Sequence, residues 1–409
     1  TPRDRSSTER PAREAPTPGE GRSNSQNQPK AKKNASSTKR SRNKTRDYLL
    51  YWLETKYDML DEVLQSFGEE CQEAQGPDDD IDLLWSDGSI SVERFIKMKP
   101  YQKVNHFMGM TSITRKHNLG RNLLRMKKRF PEEYGFFPDT WILPTDLCDF
   151  KAQFTGKRNK TFIVKPNDGY QGKGIFLTRD FESVAVDYNS ALVVQRYIHR
   201  PFLLDGFKFD FRLYVLVTGC DPLRIFLHEH GLVRLASEEY VEPRAKNLQS
   251  TMMHLTNYAI NCENPNFEEN TNPEDGSDGH KRGFQAVLKQ LAELGVNVEV
   301  LMSEIEALVV KTLLAVQPSL SHVYRSCQPD DVENTMCFEI LGFDVMLDHK
   351  AKPWLIEVNL APSFRTETEL DRMVKSAALR DAFELLNLNS EARKRYKAEQ
   401  QQLAQERLL

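Results

Sequence analysis

The chain has 409 residues, enough for more than two domains at about 150 residues each and for a sizeable buried core. Its 56 Lys and Arg against 59 Asp and Glu give a net charge of −3, which hides an asymmetry: residues 1–46 hold thirteen basic and four acidic side chains, a balance of +9, leaving −12 for the rest. A positive field over the whole molecule, as nucleic acid or an anionic membrane would require, is not expected, so any basic docking surface must be local. Six scattered cysteines without a Cys-x-x-Cys pair, no secretory leader and no run of about 18 apolar residues lead us to expect a soluble intracellular protein with reduced thiols.

Residues 1–46 are rich in Ser, Pro, Asn, Arg and Lys and nearly devoid of apolar side chains, so they cannot offset their own ordering entropy and are expected to be disordered. From Tyr48 to about Asp146 short elements alternate with an acidic loop, Asp78-Asp79-Asp80, and Trp85-Ser86-Asp87-Gly88 reads as a strand entering a turn. From Thr161 the texture becomes β-rich, with runs at Thr161–Lys165, Ile175–Leu177, Leu192–Gln195, Phe207–Val217 and Leu223–Leu227 separated by turn residues. These predict a mostly antiparallel layer. Residues 263–282 are polar and turn-rich and read as a mobile surface loop, whereas Leu301, Ile305, Leu308, Val309 and Leu313 recur at the spacing of a core helix. Strands follow over Cys337–Leu347 and Pro353–Asn359, then a helix around Leu370–Leu386. A last basic helix over Glu391–Leu409 carries Arg393, Lys394, Arg395 and Lys397.

Three segments carry chemistry. Lys165-Pro-Asn-Asp-Gly-Tyr-Gln-Gly-Lys-Gly174 is a glycine-rich loop between two strands, which distinguishes it from a P-loop or a dinucleotide fold, where a helix must follow. It suits a flexible hairpin folded over a nucleotide with Lys165 aimed at phosphate, and equally an ordinary hairpin turn. In Phe207-Lys208-Phe209-Asp210-Phe211-Arg212 successive side chains point to opposite faces, so the three phenylalanines face one way and Lys208, Asp210 and Arg212 the other. Because the strand continues as Leu213-Tyr-Val-Leu-Val217, the charged row lines a polar cleft rather than a solvated edge. Finally, Glu357 and Asn359 share a face that Asp344 can meet from the neighbouring strand. Two carboxylates and an amide oxygen, with no His or Cys beside them, are hard ligands suited to Mg²⁺. Together these imply an ATP–Mg²⁺ enzyme with no nucleophilic Ser, Cys or His, working by positioning and charge neutralisation; the natural reaction is carboxylate activation followed by attack of an amine.

The ordered motifs Phe162-Ile-Val-Lys-Pro166, Gly172-Lys-Gly-Ile175, Gln195-Arg-Tyr-Ile198, Phe207-Lys-Phe-Asp-Phe-Arg-Leu-Tyr214, His254-Leu-Thr-Asn-Tyr258, Phe338-Glu-Ile-Leu-Gly-Phe-Asp344 and Trp354-Leu-Ile-Glu-Val-Asn359 resemble the tubulin tyrosine ligase-like family of ATP-grasp ligases, from about Leu84 to Leu388. Tyr101-Gln-Lys-Val-Asn-His-Phe107 with Arg115-Lys116 is similar to its amino-terminal signature, although Met108 stands where a proline is common and His117 where an acid is common. The resemblance implies an α/β (α+β) ATP-grasp fold: a disordered tail over 1–46, an amino-terminal domain over 47–147, a central nucleotide-clasping domain over 148–258, a carboxy-terminal domain with the metal site over 259–389, and a basic helix over 390–409.

It also implies roles. Lys116, Lys165 and Lys208 contact ATP phosphates, with Gln171, Gly172, Lys173 and Gly174 in the loop above. Gln195, Arg196, Tyr197 and Ile198 hold the adenine, and Asp210, Thr256 and Asn257 complete the ATP pocket. Asp344, Glu357 and Asn359 bind Mg²⁺, Arg212 and Arg234 neutralise the acyl phosphate and the incoming carboxylate, and Arg234, Tyr258 and Lys281 seat the amino acid. The stretch Cys220-Asp-Pro-Leu-Arg224 and the two later motifs resemble the polyglutamylases most, and Gln171 resembles members that elongate glutamate chains and prefer the α-tubulin tail. The implied partners are tubulin C-terminal tails, microtubules and free L-glutamate, with no nucleic acid and no membrane. The implied form is a monomer in the cytoplasm and cytoskeleton, at the cilium, axoneme or basal body, with Arg393 to Lys397 opening a microtubule-binding segment. Alternatives are a glycine ligase of the family, a ligase acting on another acidic tail, and a non-catalytic microtubule-binding protein; the last predicts losses at Lys165, Lys208, Asp344, Glu357 or Asn359, and all five are intact.

Overall fold

The computed structural model describes residues 46–76, 79–156, 160–167, 169 and 171–408. The disorder expected of residues 1–46 therefore falls, up to residue 45, outside the described residues, as do Asp78 of the acidic loop and Asp168 and Tyr170 of the glycine loop.

Three sheets follow one another along the chain. The first holds β1 (Leu49–Glu54), β2 (Cys71–Glu73), β3 (Leu83–Ser86) and β4 (Lys103–Val104) in the order β2-β1-β3-β4. All its pairings are parallel, which the sequence reading did not foresee. Parallel neighbours need crossover connections, and the helix Asp58–Gln65 supplies one, burying Met59, Leu60, Val63 and Leu64 on one stripe.

The second sheet is small and antiparallel: β5 (Thr140–Leu143), β6 (Phe162–Pro166), β7 (Phe176–Thr178) and β8 (Leu192–Arg196), in the order β5-β8-β6-β7. Its core is aromatic, with the Phe150 and Phe162 rings edge to face at 5.2 Å. The glycine loop joins β6 to β7 as the turn of a hairpin, as the strand–loop–strand pattern implied.

The third, central sheet holds β9 (Leu203–Leu204), β10 (Phe207–Cys220), β11 (Leu223–Leu235), β12 (Lys281–Gly283), β13 (Glu339–Leu347) and β14 (Pro353–Asn359). Its order is β12-β11-β10-β13-β14, with β9 on β10 and every pairing antiparallel. The single layer expected from residue 161 onward is thus two sheets, and the expected division at 258/259 falls between β11 and β12 of one of them.

The alternation along β10 is the organising feature. Phe209, Phe211, Leu213, Val215 and Val217 enter the main core, where helices Phe284–Glu293, Val298–Leu314 and Gln317–Cys327 cover that face. The helical stripe Leu301, Ile305, Leu308, Val309 and Leu313 is buried there, as its spacing predicted. On the opposite face Tyr214 and Leu216 join a second core with the first sheet and helix Glu369–Leu385, whereas Lys208 and Asp210 line an open cleft and Arg212 lies between the two. One strand face thus changes from apolar to charged where its covering layer ends.

The segment expected to be a mobile surface loop over 263–282 is a turn-rich surface segment, with Glu263, Pro265, Asn266, Glu268, Glu269, Thr271, Asn272, Glu274 and Asp275 exposed, but it is anchored at particular points. Asn264, His280, Lys281 and Arg282 are buried, Asn264 Nδ2 donates to Ser237 Oγ at 2.9 Å, Arg282 pairs with Asp205 at 2.6 Å, and the segment ends in β12. Its buried polar residues are bonded within the fold, while its glutamates and Asp275 remain exposed. No helix among the described residues is long and apolar enough to cross a membrane.

Contacts far apart in sequence join the first sheet to the central one. Val104 forms a parallel bridge with Cys337, His106 Nδ1 lies 3.0 Å from Glu339 Oε1, and Phe107 N donates to Glu339 Oε2 at 3.1 Å. The final helix, Glu391–Glu406, clasps the first sheet. Arg393, 1 % exposed, donates to both Asp82 carboxylate oxygens at 2.5 Å and to the Arg46 carbonyl at 2.7 Å, Lys394 pairs with Asp47 at 2.7 Å, and Lys397 pairs with Asp80 at 2.7 Å. Three of the four cations expected to begin a microtubule-binding segment are therefore occupied within the fold.

Candidate functional site

Cross-strand register builds the site. Side chains of directly paired residues share a sheet face, so the pairs Arg234↔Lys281 and Asp210↔Arg234 place Lys281, Arg234 and Asp210 in one row across β12, β11 and β10. The pairs Arg212↔Asp344 and Asp344↔Glu357 place Arg212, Asp344 and Glu357 in a second row across β10, β13 and β14. A bulge at Asp344/Val345 leaves Ile356 without a partner, so the consecutive residues Ile356 and Glu357 both reach the cleft.

The two rows are bound to each other by arginine. Arg212 Nε and Nη2 donate to Asp344 Oδ1 and Oδ2 at 2.6 and 3.0 Å, and Arg234 Nε donates to Asp210 Oδ1 at 2.9 Å while its Nη2 bridges Asp210 Oδ2 and Asp344 Oδ2, the latter at 2.9 Å. Burial by itself pushes the Asp344 carboxyl up, but the two guanidiniums outweigh it and hold the group well below the usual carboxylate range. Neither Nη1 has a hydrogen-bond partner among the described residues, so each arginine keeps donors free for an anion. Gly342 permits this approach: a Cβ there would lie 3.3 Å from Arg212 Cδ and 3.2 Å from Pro362 Cβ.

Above the face lies a cleft enclosing about 670 Å³ of atom-free space, open solvent included. Lys165, Gln195, Arg196, Tyr197, Ile198, Lys208, Asp210, Arg234, Thr256, Asn257, Asp344 and Glu357 line it, so most of the sequence-predicted nucleotide residues come together from the second and third sheets. Apolar Pro138, Ile163, Ile175, Met346 and Ile356 complete the lining, suiting a flat heterocycle. Burial depresses both lysines, Lys165 to about 8 and Lys208 to about 7, because desolvation outweighs the attraction of Glu357 and of Asp210 respectively.

Lys116, Gln171, Gly172, Lys173 and Gly174 lie outside the lining. Lys116 Nζ donates to the Gly169 carbonyl at 2.6 Å, tying the loop to helix Lys116–Arg129. The loop has left-handed backbone at Gln171, Gly172 and Gly174, and a Cβ at Gly172 would fall 2.4 Å from Ile260 Cδ1, so a side chain there would be strained and would displace Ile260 where the loop rests on the Asn257–Ile260 turn.

Of the metal candidates, Glu357 is half-buried, faces the cleft and meets no hydrogen-bond partner among the described residues. Burial first and the Asp344 charge second raise its pKa, the condition a bound cation relieves. Asn359 Nδ2 donates to the Gly342 carbonyl at 3.3 Å, leaving its amide oxygen available. No set of three or more His, Cys, Asp or Glu among the described residues is arranged to hold a metal, so the set relies on the Asn359 amide. All three donors are hard oxygens and fit Mg²⁺, with Asp344 shared between metal and arginines.

Lys281 is not in the cleft lining. It is 5 % exposed, paired with Asp371 at 2.8 Å, and lies 3.7 Å from the centre of the Tyr258 ring, which covers it. Sequence reasoning missed Asp371 and Lys375, which share this ion pair, and His254, which lines the cleft between Lys208 and Tyr197. The quoted motif contained His254, but nothing local marks it as different from a core histidine.

A charged face on an antiparallel sheet, closed from above by a second antiparallel sheet with a glycine hairpin, is the ATP-grasp architecture. The chain matches the tubulin-tyrosine ligase family over residues 94–395 and belongs to it. It is 48% identical over 332 residues to a probable beta-tubulin polyglutamylase of Tetrahymena thermophila, covering 81% of this chain and 28% of the relative. It is 45% identical over 350 residues to the human tubulin polyglutamylase TTLL6, covering 86% and 38%, and 44% identical over 372 residues to the mouse tubulin polyglutamylase TTLL13, covering 90% and 45%. The chain spans less than half the length of each of these relatives.

Proposed function

We propose that this protein is a tubulin polyglutamylase, joining free L-glutamate to glutamate side chains or growing glutamate chains on tubulin C-terminal tails at the expense of ATP. The observation that carries the reading is the pair of charged rows at the cleft: cations for phosphate and carboxylate, carboxylates for a metal, and, among the described residues that line it, no Ser or Cys nucleophile. The names of the relatives support the choice of glutamate and tubulin.

In this reading the adenine lies against Gln195, Arg196, Tyr197 and Ile198, with Thr256 and Asn257 opposite, and Lys165 and Lys208 meet the phosphates. Asp344, Glu357 and Asn359 would hold Mg²⁺, which supplies charge neutralisation on the phosphates. The acceptor carboxylate takes the γ-phosphoryl group, releasing ADP; the amine of glutamate then attacks the acyl phosphate, forming the amide and releasing phosphate. Arg234 lines the cleft where that negative charge builds, its Nη1 without a partner among the described residues, and Arg212 holds Asp344. Asp371 holds Lys281 beneath Tyr258, so these two residues bound the amino-acid end. The protein acts as a monomer on cytoplasmic, axonemal or basal-body microtubules.

Gln171 at the loop tip supports chain elongation on the α-tubulin tail, while one of the relatives is named for β-tubulin, so both tails belong in the test. Intact mass spectrometry of α- and β-tail peptides, with and without one branch glutamate, is expected to show serial additions of glutamate, greatest on the branched α-peptide and abolished by Glu357→Gln. Additions with glycine alone would move the protein to the glycine ligases, and none with either amino acid would leave a microtubule-binding role.

A further inference from the structure

We infer that His254 is a positioning residue for the nucleotide, acting through the Tyr197 hydroxyl to hold the Lys208 ammonium on neutral acceptors and so keep it available to phosphate. The inference deepens the ATP reading above and rests on it.

The three side chains are buried together, at 0 % exposure for His254, 4 % for Tyr197 and 6 % for Lys208. His254 Nε2 lies 3.0 Å from the Asn247 carbonyl, an atom that only accepts, so Nε2 carries the proton. Asn247 is itself fixed, its Oδ1 accepting from Arg244 N at 2.6 Å and its Nδ2 donating to the Glu242 carbonyl at 3.1 Å. Burial and the neighbouring Lys208 charge hold the imidazole pKa down to about 4, so the ring is neutral and Nδ1 presents a lone pair. The Tyr197 hydroxyl, 3.1 Å away, therefore donates to Nδ1 and turns its oxygen lone pairs toward Lys208 Nζ at 3.3 Å.

Lys208 Nζ also donates to the His254 carbonyl at 2.6 Å, and its ammonium lies 4.7 Å from the centre of the Tyr197 ring. Two of its three N–H bonds are thus directed by His254 and Tyr197, leaving the third for the cleft that Lys208, Tyr197 and His254 line together. Among the described residues no carboxylate pairs with Lys208. Asp210, two residues along the same strand face, is bound by Arg234 instead. A lysine paired with an acid would have to give up that partner before binding phosphate, whereas one held by neutral oxygens does not. A neutral His254 is needed for the arrangement, because an Nδ1–H would oppose the Tyr197 proton and its charge would repel Lys208.

The test is titration of the full chain with mant-ATP and Mg²⁺, beside steady-state KM values and thermal melting. Tyr197→Phe keeps the ring and removes the acceptor; mant-ATP affinity is expected to fall roughly tenfold. The KM for ATP should rise in step, with the KM for glutamate unchanged and Tm within about 2 °C. His254→Leu should lose at least as much affinity, and His254→Asn, whose amide oxygen falls near the Nδ1 position, should recover most of it. Unchanged mant-ATP affinity in Tyr197→Phe, or equal losses in the Leu and Asn variants, would overturn the inference while leaving the ATP reading intact. Nucleotide binding by the wild type without glutamate transfer would overturn the polyglutamylase reading and leave the relay standing. A wild type that binds no mant-ATP would overturn both.

Discussion

Two clusters of buried charge, built from the same residue types, differ in how completely they are paired. At the clasp, Arg393 spends its donors on the two Asp82 oxygens and the Arg46 and Tyr48 carbonyls, and Arg46 reaches the same carboxylate at 2.7 Å. On the face of the candidate site, the Asp344–Arg212–Arg234–Asp210 network lies beside groups with no ionic partner among the described residues: Glu357, Lys165 and Lys208. Taking a charge out of water costs several kcal/mol unless it is paired, so a saturated cluster is a structural joint and an unsaturated one is a place where a ligand completes the pairing.

The sharpest way to break this distinction is to remove the open carboxylate. Glu357→Gln should lower ligation at least about a thousandfold, since it deletes a group that acts only when ligands are present. The same substitution should hold or raise Tm by relieving the repulsion from Asp344, as a thermal melt would show; a large fall in Tm would mean that Glu357 is a structural partner instead. Next in size, Arg393→Met leaves Asp82 buried with less compensation and should cost about 3–5 kcal/mol in denaturant unfolding. Activity per folded molecule and the salt dependence of microtubule binding should stay the same. If binding to microtubules fell while stability held, the helix Glu391–Glu406 would be a docking element after all.

The smallest expected effect is on pH. Lys165 near 8 and Lys208 near 7 lose protons in the free protein as pH rises through that range, while bound phosphate favours the ammonium forms. Nucleotide binding therefore takes up protons there, and affinity should fall severalfold between about pH 7 and 9, measured by mant-ATP titration. An affinity that rises with pH would mean that the lysines do not meet the phosphates.

What could be read from the chain was what adjacent residues decide. The Phe207–Arg212 alternation divides β10 into a core face and a site face, and the spacing of Asp344, Glu357 and Asn359 places them on neighbouring strands. The glycine loop between β6 and β7 was legible for the same reason. Residues whose partners lie far along the chain were misread. Arg393 looked like a surface cation until Asp82, 311 positions away, was brought beside it, and Lys281 looked like a loop residue until β12 paired with β11 and Asp371 closed over it.

The sequence by itself therefore determined the strands, the faces they present and the chemistry of the site residues, because backbone alternation and turn preference act over a few residues. Only the tertiary structure decided which charges stay available. A lysine or arginine has the same propensities whether it ends in a saturated pair or at the edge of a cleft, and the difference is set by which oxygen atoms the finished fold brings within about 3 Å of it.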